Sequence, residues 1–393
     1  MINAFNFAAT PHIHFGAGKR SELSRLIQHY GRRLLLVTGG ASFDASALCA
    51  DMYAQLQTDF EVHRVRVNGE PSPQLVDATV ASLQNSAPDC VVAIGGGSPV
   101  DAAKAMAGLL PSGDSVMEYL EGVGNGKAYT GPSTPFIAMP TTAGTGGETS
   151  KNAVLSVIGE NGYKKSFRHE ILVPRHIILD PELTLSCPSS VTAACGMDAF
   201  TQLLESYLSK NASPMTDALA LGGIARAARA LPVAVEQGDN LEARAAMLYA
   251  SSTSGLTLAN AGLGSVHGLA SPIGAYFPMP HGEVCGSLLF EAARLNIEAM
   301  QSREPDNSGL FKYAEAGRIM ANDHAMNDVA ARQYLLNTLQ SWTSRFSMPL
   351  LSAYGVTDAD IPKLIANASP GGMAANPIVL SDEEISGLIH SRL

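Results

Sequence analysis

The sequence predicts a two-domain protein in which an α/β domain with a largely parallel sheet, residues 1–186, precedes an all-helical domain, residues 187–393. The chain of 393 residues exceeds the size at which a single hydrophobic core keeps growing, so two domains are expected. Apolar runs of strand length alternate with helical patterns in the first half, whereas the second half shows only helical periodicity. In such a doubly wound domain, ligands bind beyond the carboxyl ends of the strands.

Five short apolar runs in the first half predict strands that are buried on both faces. Continuous runs of Val, Ile and Leu that end at glycine or at a polar turn are typical of a parallel sheet. The predicted strands are Leu34 to Thr38, Val62 to Val67, Cys90 to Ile94, Phe136 to Met139 and Ile177 to Leu179. Helical patterns lie between them, with a stripe at Val76, Val80 and Leu83 and a segment from Ala102 to Leu110.

Two glycine-rich turns follow predicted strands. Gly95-Gly96-Gly97-Ser98 comes after the run CVVAI and precedes a helix that carries Asp101, and the segment from Thr141 to Gly147 comes after FIAMP. Glycine lets the backbone approach a phosphate closely, and the free amides of a helix start attract its charge. Each turn alone is explained as a tight strand-to-helix connection, but two of them favour a nucleotide site. Neither turn is GxGxxG or a Walker loop, which disfavours a kinase or an ATPase.

The segment from Lys164 to His169, KKSFRH, brings three basic residues together in an acidic protein. A solvated turn is the simplest interpretation of any single lysine in it. The alternative is a lysine that faces a pyrophosphate.

The second half of the chain is predicted to form helices rich in alanine and leucine. The predicted helices cover about 191–209, 214–231, 240–258, 327–345 and 382–391, and the last opens with a capping-box pattern, Ser381 to Glu384. The cleft between this domain and the first is the expected active site.

The stretch from Gly262 to Glu283 holds two histidines, His267 and His281, among small and apolar residues. Neutral imidazole is a common metal ligand, although backbone carbonyls satisfy many buried histidines. In the predicted helix from 191, Asp198 and Gln202 share one face, and a carboxylate in so apolar a stretch needs a partner. Asp198, His267 and His281 would form three protein ligands that leave a position open for substrate.

The composition excludes several classes of protein. A net charge of −10 argues against nucleic-acid binding. The N-terminus has no signal-peptide pattern, and no apolar run reaches the length of a spanning helix, so we expect a cytoplasmic protein without a membrane segment. Five widely spaced cysteines without a CxxC pair are typical of reduced core residues, and we assign packing roles to Cys195 and Cys285, although both lie near candidate ligands.

Seven motifs along the chain resemble the iron-containing (group III) alcohol dehydrogenase family. They occur in the family's order and cover nearly the whole sequence: FGAG at 15–18, GGGSPVDAAK at 95–104, PTTAGTGGETSKN at 140–152, DPELT at 180–184, GMDAFTQLLESY at 196–207, NAGLGSVHGLASPIGA at 260–275 and PHGEVCG at 280–286. The resemblance implies an N-terminal Rossmann-like dinucleotide-binding domain and a C-terminal helical domain, the architecture that dehydroquinate synthase shares.

The resemblance also assigns roles to matching positions. Asp198, His267 and His281 are the implied ligands of a divalent metal, Fe²⁺ or Zn²⁺, and Asn152 would line the substrate pocket. The implied NAD(P) contacts are Gly39, Gly96, Gly97, Ser98, Asp101, Thr141, Thr142, Thr145 and Lys164, the last because it lies ten residues before Pro174. Apolar neighbours such as Leu258 indicate a small or hydrophobic alcohol.

Three positions depart from the family pattern. Family members with four protein ligands have histidine where this chain has Gln202, and an amide oxygen is a weak ligand. Ser271 replaces a histidine often found near the nicotinamide, which removes the usual proton path. Gly39-Gly40 stands where many NAD-using members have an aspartate that binds the adenosine ribose, so NADP is tolerated.

The resulting hypothesis is reversible hydride transfer between a primary or small alcohol and NAD(P), assisted by the metal, in a homodimeric enzyme. A dehydroquinate-synthase-like lyase would need a denser basic cluster than the one near Lys164. A metal-independent reductase of maleylacetate-type substrates is disfavoured because all three ligands persist. An inactive nucleotide-binding module draws support only from Gln202 and Ser271.

Overall fold

A computed structural model describes residues 4–393 of the protein. Eight strands occur in the described part of the first half. They are β1 (His12–Phe15), β2 (Arg33–Gly39), β3 (Glu61–Val67), β4 (Cys90–Gly95), β5 (Phe136–Pro140), β6 (Asn152–Val157), β7 (Tyr163–Arg168) and β8 (His176–Leu179). Six of them form one parallel sheet in the order β1-β8-β5-β4-β2-β3. The five strands predicted from apolar runs are confirmed within a residue or two at each end.

The parallel sheet is covered by helices on both faces. The helices of this half are α1 (Leu23–Gln28), α2 (Ala41–Ala45), α3 (Ala47–Asp59), α4 (Pro73–Ser82) and α5 (Gly97–Leu109). One core joins α4 and α5 to one face of the parallel sheet, and a second joins α1 and α3 to the opposite face. The predicted doubly wound α/β class is therefore confirmed.

The edge strand β1 escaped the sequence prediction because its pattern is not apolar. Its residues HIHF alternate histidine with larger apolar side chains, and Ile13 and Phe15 remain 48% and 40% exposed at the edge of the sheet. The strand is held by parallel pairing with β8.

The basic segment near Lys164 lies on a strand, so its interpretation as a turn was wrong. β6 and β7 pair antiparallel as a separate two-stranded hairpin, with Leu155 opposite Lys165 and Ser156 opposite Lys164. Phe167 anchors the hairpin, because its ring is 1% exposed and lies 5.5 Å from that of Tyr119. One alternating face of β7 is therefore committed to the core, which a turn would not provide.

The described residues from Ser189 onward form helices and no strand. The helices are α6 (Ser189–Leu208), α7 (Pro214–Glu236), α8 (Leu241–Ala261), α9 (Ser265–Tyr276), α10 (His281–Arg303), α11 (Ser308–Ala321), α12 (Asp328–Arg345), α13 (Ile361–Ala366), α14 (Pro370–Ala375) and α15 (Asp382–His390). The five predicted helices and the helical class are confirmed. α9 was not predicted because Gly268, Pro272 and Gly274 interrupt its pattern.

Helix α7 is long and apolar enough by composition to cross a membrane. In the fold it packs between neighbouring helices, where Ile224, Ala227 and Leu231 are fully buried in the core that it shares with α6 and α8. One side of α7 therefore belongs to the core of the helical domain.

Candidate active site

The two glycine-rich turns lie against each other at the carboxyl ends of adjacent strands. A Cβ built on Gly96 would lie 3.3 Å from Thr142 Oγ1, and one on Gly97 would lie 2.9 Å from Thr145 Cγ2. The contact follows from the sheet order, because β4 and β5 are neighbours with Gly95 opposite Pro140. The predicted phosphate turns therefore form one continuous backbone surface at the start of α5, where free amides favour an anion.

Lys104 holds the backbone that follows the second glycine turn, Thr141 to Gly147, through hydrogen bonds. Its fully buried Nζ donates hydrogen bonds to the backbone oxygens of Gly147 at 2.6 Å, Ser150 at 2.8 Å and Asn152 at 2.7 Å. Three donors of an ammonium group thus meet three carbonyl acceptors of one segment. This lysine of the GGGSPVDAAK motif has a positioning role, since its charge faces the loop backbone.

The three predicted metal ligands converge on one point in the helical domain. Asp198 Oδ1 lies 3.2 Å from His267 Nε2 and 3.7 Å from His281 Nε2. Two ligand atoms bonded to one tetrahedral metal at about 2.0–2.1 Å would lie about 3.4 Å apart. The separations found are close to that value, so a divalent cation fits among these side chains.

Each ligand is held by a different helix. Asp198 lies in the middle of α6 with 1% of its surface exposed, His267 is in the first turn of α9, and His281 is the first residue of α10. Gly264 is the N-cap residue of α9, and Pro280 is the N-cap residue of α10. Gly264 and Pro280 thus set the starting points of the two helices that carry the imidazoles.

Glu205 orients His267 and was not among the predicted site residues. Its Oε2 accepts a hydrogen bond of 2.7 Å from His267 Nδ1, while its Oε1 accepts one of 2.7 Å from the Val266 backbone N–H. The bond at Nδ1 fixes the ring so that Nε2 faces Asp198. The signal was present in the sequence, because Glu205 lies seven residues after Asp198 on the same face of α6.

Gln202, the doubtful fourth ligand, is engaged at both ends of its amide. Its Nε2 donates to Asp198 Oδ1 at 3.0 Å, and its Oε1 accepts from Ser254 Oγ at 2.6 Å. The donor end of the amide therefore faces the ligand cluster, and its oxygen is turned toward α8. In this arrangement Gln202 supports Asp198 by a hydrogen bond.

Cys285 lies within the same group of donor atoms. Its sulfur is 3.7 Å from His267 Nε2 and 3.8 Å from His281 Nε2, and one donor atom each from Asp198, His267, His281 and Cys285 lie within 4.8 Å of one another. The sequence shows only that Cys285 is one helical turn after His281. Its approach to His267 depends on how α9 packs against α10.

The charges of the site are strongly perturbed. Burial lowers the pKa of His281 to about 4, so that imidazole is neutral near pH 7 and has a free electron pair for a metal. Burial also disfavours charge on His267, yet Cys285, Asp198 and Glu205 raise its pKa well above the usual range. A cation bound at His267 Nε2 would replace a proton on that nitrogen, beside the carboxylate of Asp198.

Comparison with known proteins agrees with this site. The profile "Iron-containing alcohol dehydrogenase" matches residues 10–181, and the profile "Fe-containing alcohol dehydrogenase family, C-terminal" matches residues 192–393. The chain belongs to the iron-containing alcohol dehydrogenase family. It is therefore an oxidoreductase of the alcohol dehydrogenase class, and the resemblance found in the sequence motifs is confirmed.

Individual relatives of this family match over most of the chain. The "Probable alcohol dehydrogenase EutG" of Escherichia coli K12 is 38% identical over 76% of this chain and 74% of its own length. The "NAD-dependent methanol dehydrogenase" of Bacillus methanolicus is 29% identical over 99% of this chain and 100% of its length. The solved structure of sulfoacetaldehyde reductase from Bifidobacterium kashiwanohense in complex with NAD⁺ has a TM-score of 0.83, with 27% identity over 99% of both chains.

In this family member, Lys164 contacts Glu70 through its side chain and α9 through its backbone. Its Nζ pairs with Glu70 at 2.9 Å, and its backbone oxygen accepts a bond of 3.2 Å from Ser271 Oγ on α9. Lys164 and Glu70 also act electrostatically on both Asp101 and His281. Lys164 of the hairpin β6–β7 is therefore coupled electrostatically to Asp101 of the glycine-turn helix and to His281 of the ligand cluster.

The remaining predicted residues occupy different parts of this alcohol dehydrogenase. Ser98 lies in the first turn of α5, and a Cβ on Gly147 would lie 3.7 Å from Asp101 Oδ1, so both belong to the glycine-turn surface. Gly39 ends β2 beside β4 on the same edge of the sheet. Asn152 is the half-buried first residue of β6. Leu258 lies on α8, one turn after Ser254, outside the group of donor atoms.

Proposed function

We propose that the protein catalyses reversible, metal-dependent hydride transfer between a small primary alcohol or its aldehyde and NAD(P). The observation that carries this proposal is the convergence of Asp198, His267 and His281 in a chain whose two glycine turns lie against each other at the carboxyl ends of β4 and β5. The names of the relatives, a methanol dehydrogenase that is NAD-dependent and a reductase crystallised with NAD⁺, support the same chemistry.

The first domain would bind the dinucleotide. We assign its diphosphate to the surface of Gly96, Gly97 and Ser98, with Thr141, Thr142 and Thr145 beside it, and its nicotinamide end to the side of Asp101 and Lys164. Because Lys104 holds the second turn rigidly through three carbonyls, the surface needs little reordering when the cofactor binds. This assignment places the cofactor domain at residues 1–186 and the metal-binding domain at 187–393, on the two sides of the change from sheet to helix.

The second domain would bind the metal and the reacting oxygen. Asp198, His267 and His281 would hold a divalent metal, which supplies a Lewis acid that lowers the pKa of an alcohol or polarises an aldehyde carbonyl. Glu205 keeps His267 Nε2 directed at the site, and Gln202 does the same for the carboxylate of Asp198. The chain thereby positions the substrate carbon against the cofactor, which carries the hydride chemistry itself.

The proton of the alcohol must leave by a path other than a histidine at position 271. Ser271 Oγ donates to the Lys164 backbone, so its hydrogen is already engaged. The paired side chains of Lys164 and Glu70 are titratable groups that act electrostatically on both Asp101 and His281. We assign the relay to them.

The lyase alternative finds no support in the arrangement of basic residues. Lys164 is paired with Glu70, and Arg168 is paired with Glu121 at 3.2 Å on the outer part of the hairpin. These side chains therefore do not form a free cluster for a phosphorylated substrate.

The function is tested with a screen of small alcohols and aldehydes, each with NAD and with NADP, on protein of known metal content. We expect turnover of the nicotinamide that disappears on chelation and returns when a divalent metal is added back. Absence of nicotinamide turnover across the whole screen would contradict the proposal and favour the lyase or an inactive module.

A further inference from the structure

We infer that the thiolate of Cys285 is a fourth protein ligand of the metal, which makes this an Asp-His-His-Cys site suited to Zn²⁺ rather than Fe²⁺. The inference rests on the proposed metal-dependent function and concerns only which side chains of this chain complete the site.

The positions of the donor atoms support a sulfur ligand. A tetrahedral zinc ion with bonds of about 2.3 Å to sulfur and about 2.0–2.1 Å to nitrogen holds those two atoms about 3.6 Å apart. Cys285 Sγ lies 3.7 Å from His267 Nε2 and 3.8 Å from His281 Nε2. Together with the separations from Asp198, four of the six pairs of donor atoms are spaced as ligands of one ion, and the substrate oxygen would bind as a fifth ligand.

The environment of Cys285 also favours this role. The side chain is fully buried on α10, four residues after His281, so both residues project from the same face of one helix. Its sulfur faces a nitrogen of each imidazole, whereas a cysteine that only fills core space has apolar atoms as its neighbours. The surrounding core of Val266, Leu269, Leu288 and Ile361 keeps the sulfur away from water.

Gln202 does not occupy the position of a fourth metal ligand, which Cys285 can therefore fill. The amide oxygen of Gln202 accepts from Ser254 on α8, and its amide nitrogen donates to Asp198, so in this orientation the oxygen is turned away from the ligand cluster. Cys285 approaches the cluster from α10, on the side of the two imidazoles. The sequence therefore provides four protein donors even though position 202 is not a histidine.

The chemical consequence is a shift in metal preference. Binding replaces the thiol proton by the metal, and the proton is released to solvent. Thiolate is a soft ligand that selects zinc over harder divalent ions, and zinc also stands above iron(II) in the general order of affinities. A site with this ligand should therefore discriminate against Fe²⁺ more strongly than one with oxygen and nitrogen ligands alone.

X-ray absorption at the zinc edge of the wild-type protein tests the inference without relying on a variant. The full chain is stripped with a chelator and reloaded with Zn²⁺ alone. We expect one sulfur scatterer at about 2.3 Å beside nitrogen and oxygen scatterers at about 2.0–2.1 Å. A shell that contains only nitrogen and oxygen would overturn the inference.

Cobalt substitution gives a second measurement with a matched control. Co²⁺ in the wild-type protein should show a thiolate charge-transfer absorption in the near ultraviolet, which Cys285→Ser should lack. Cys195→Ser removes a half-buried cysteine, three residues before Asp198, and should keep the absorption. Zn²⁺ affinity of Cys285→Ser should fall by at least about 10-fold, the lower bound for changes in groups that merely support a ligand. Its Fe²⁺ affinity should fall by less.

The outcomes separate this inference from the proposed function. A wild-type protein that turns over alcohol with a metal bound only through nitrogen and oxygen would refute the thiolate ligand and leave the function standing. A protein that binds no metal would refute both.

Discussion

His267 and Glu205 form a buried pair in which the Nδ1 atom of the imidazole lies 2.7 Å from the carboxylate oxygen Oε2. The other carboxylate oxygen accepts a hydrogen bond of 2.7 Å from the backbone N–H of Val266. The start of α9 therefore holds the glutamate in the position from which it orients the ring. This pairing decides which nitrogen of His267 faces Asp198.

Glu205→Gln should weaken metal binding, because a glutamine has one acceptor oxygen where the glutamate uses two. Either His267 Nδ1 or the Val266 N–H would then face an amide NH₂ group. Loss of such a supporting group costs about 10- to 100-fold in metal affinity. Metal titration of the stripped variant measures the effect, and NAD(P) affinity serves as the internal control because the glycine turns are untouched. Unchanged metal affinity would show that Glu205 does not orient the ligand.

Gly39→Asp should shift the enzyme toward NAD. Gly39 ends β2, and a Cβ there would lie 3.4 Å from Ser42 Oγ, which is an ordinary contact. A carboxylate at this position would accept the ribose hydroxyls of NAD and repel the 2′-phosphate of NADP. We expect the ratio of kcat/KM for NAD over NADP to rise by at least about 10-fold, since like charges brought together cost several kcal/mol. Gly39→Ala is the control for added volume, and an equal change in both variants would contradict a charge effect.

Glu148→Gln should stabilise the protein above neutral pH. The side chain is 3% exposed, and its Oε1 has no hydrogen-bond partner among the described residues. Burial raises the pKa of Glu148 from 4.5 to about 7. Because the folded state holds this proton more tightly than the unfolded state, the carboxyl favours folding below pH 4.5 and loses that contribution as the pH rises through 7.

The glutamine variant removes this dependence, since its amide stays neutral. Relative to the wild type, its free energy of unfolding should rise by up to about 3 kcal/mol between pH 4.5 and pH 8, because each pKa unit corresponds to about 1.4 kcal/mol. Denaturant unfolding at both pH values measures the difference. Glu160→Gln, at an exposed position, should behave like the wild type. A constant difference between Glu148→Gln and the wild type at all pH values would contradict the assignment.

The sequence predicts those parts of the fold whose pattern reflects burial. Strands such as β4 are apolar throughout because both faces are covered, and they were found with their ends. The edge strand β1 and the hairpin strand β7 interleave histidines or lysines with apolar and aromatic residues, so no apolar run marks them. Helix α9 breaks propensity rules with Gly268 and Pro272, and tertiary packing overrides that local preference.

The candidate site divides in the same way. Asp198 and the two histidines are chemically conspicuous in apolar segments, so the sequence was sufficient to name them. Glu205 could have been found from its spacing along α6. The approach of Cys285 to His267 could not, because it joins residues on two helices whose packing is set by the rest of the domain. The engagement of Gln202 by Ser254 depends on α8 in the same manner.

The central claim is that Asp198, His267 and His281 hold a metal that the alcohol dehydrogenase reaction requires. The most direct test measures bound divalent metal, NAD(P) affinity and alcohol turnover together in the wild type, Asp198→Ala and His267→Ala. We predict that both variants lose the metal and turnover while they still bind the cofactor. Turnover that persists in a variant without bound metal would contradict the account.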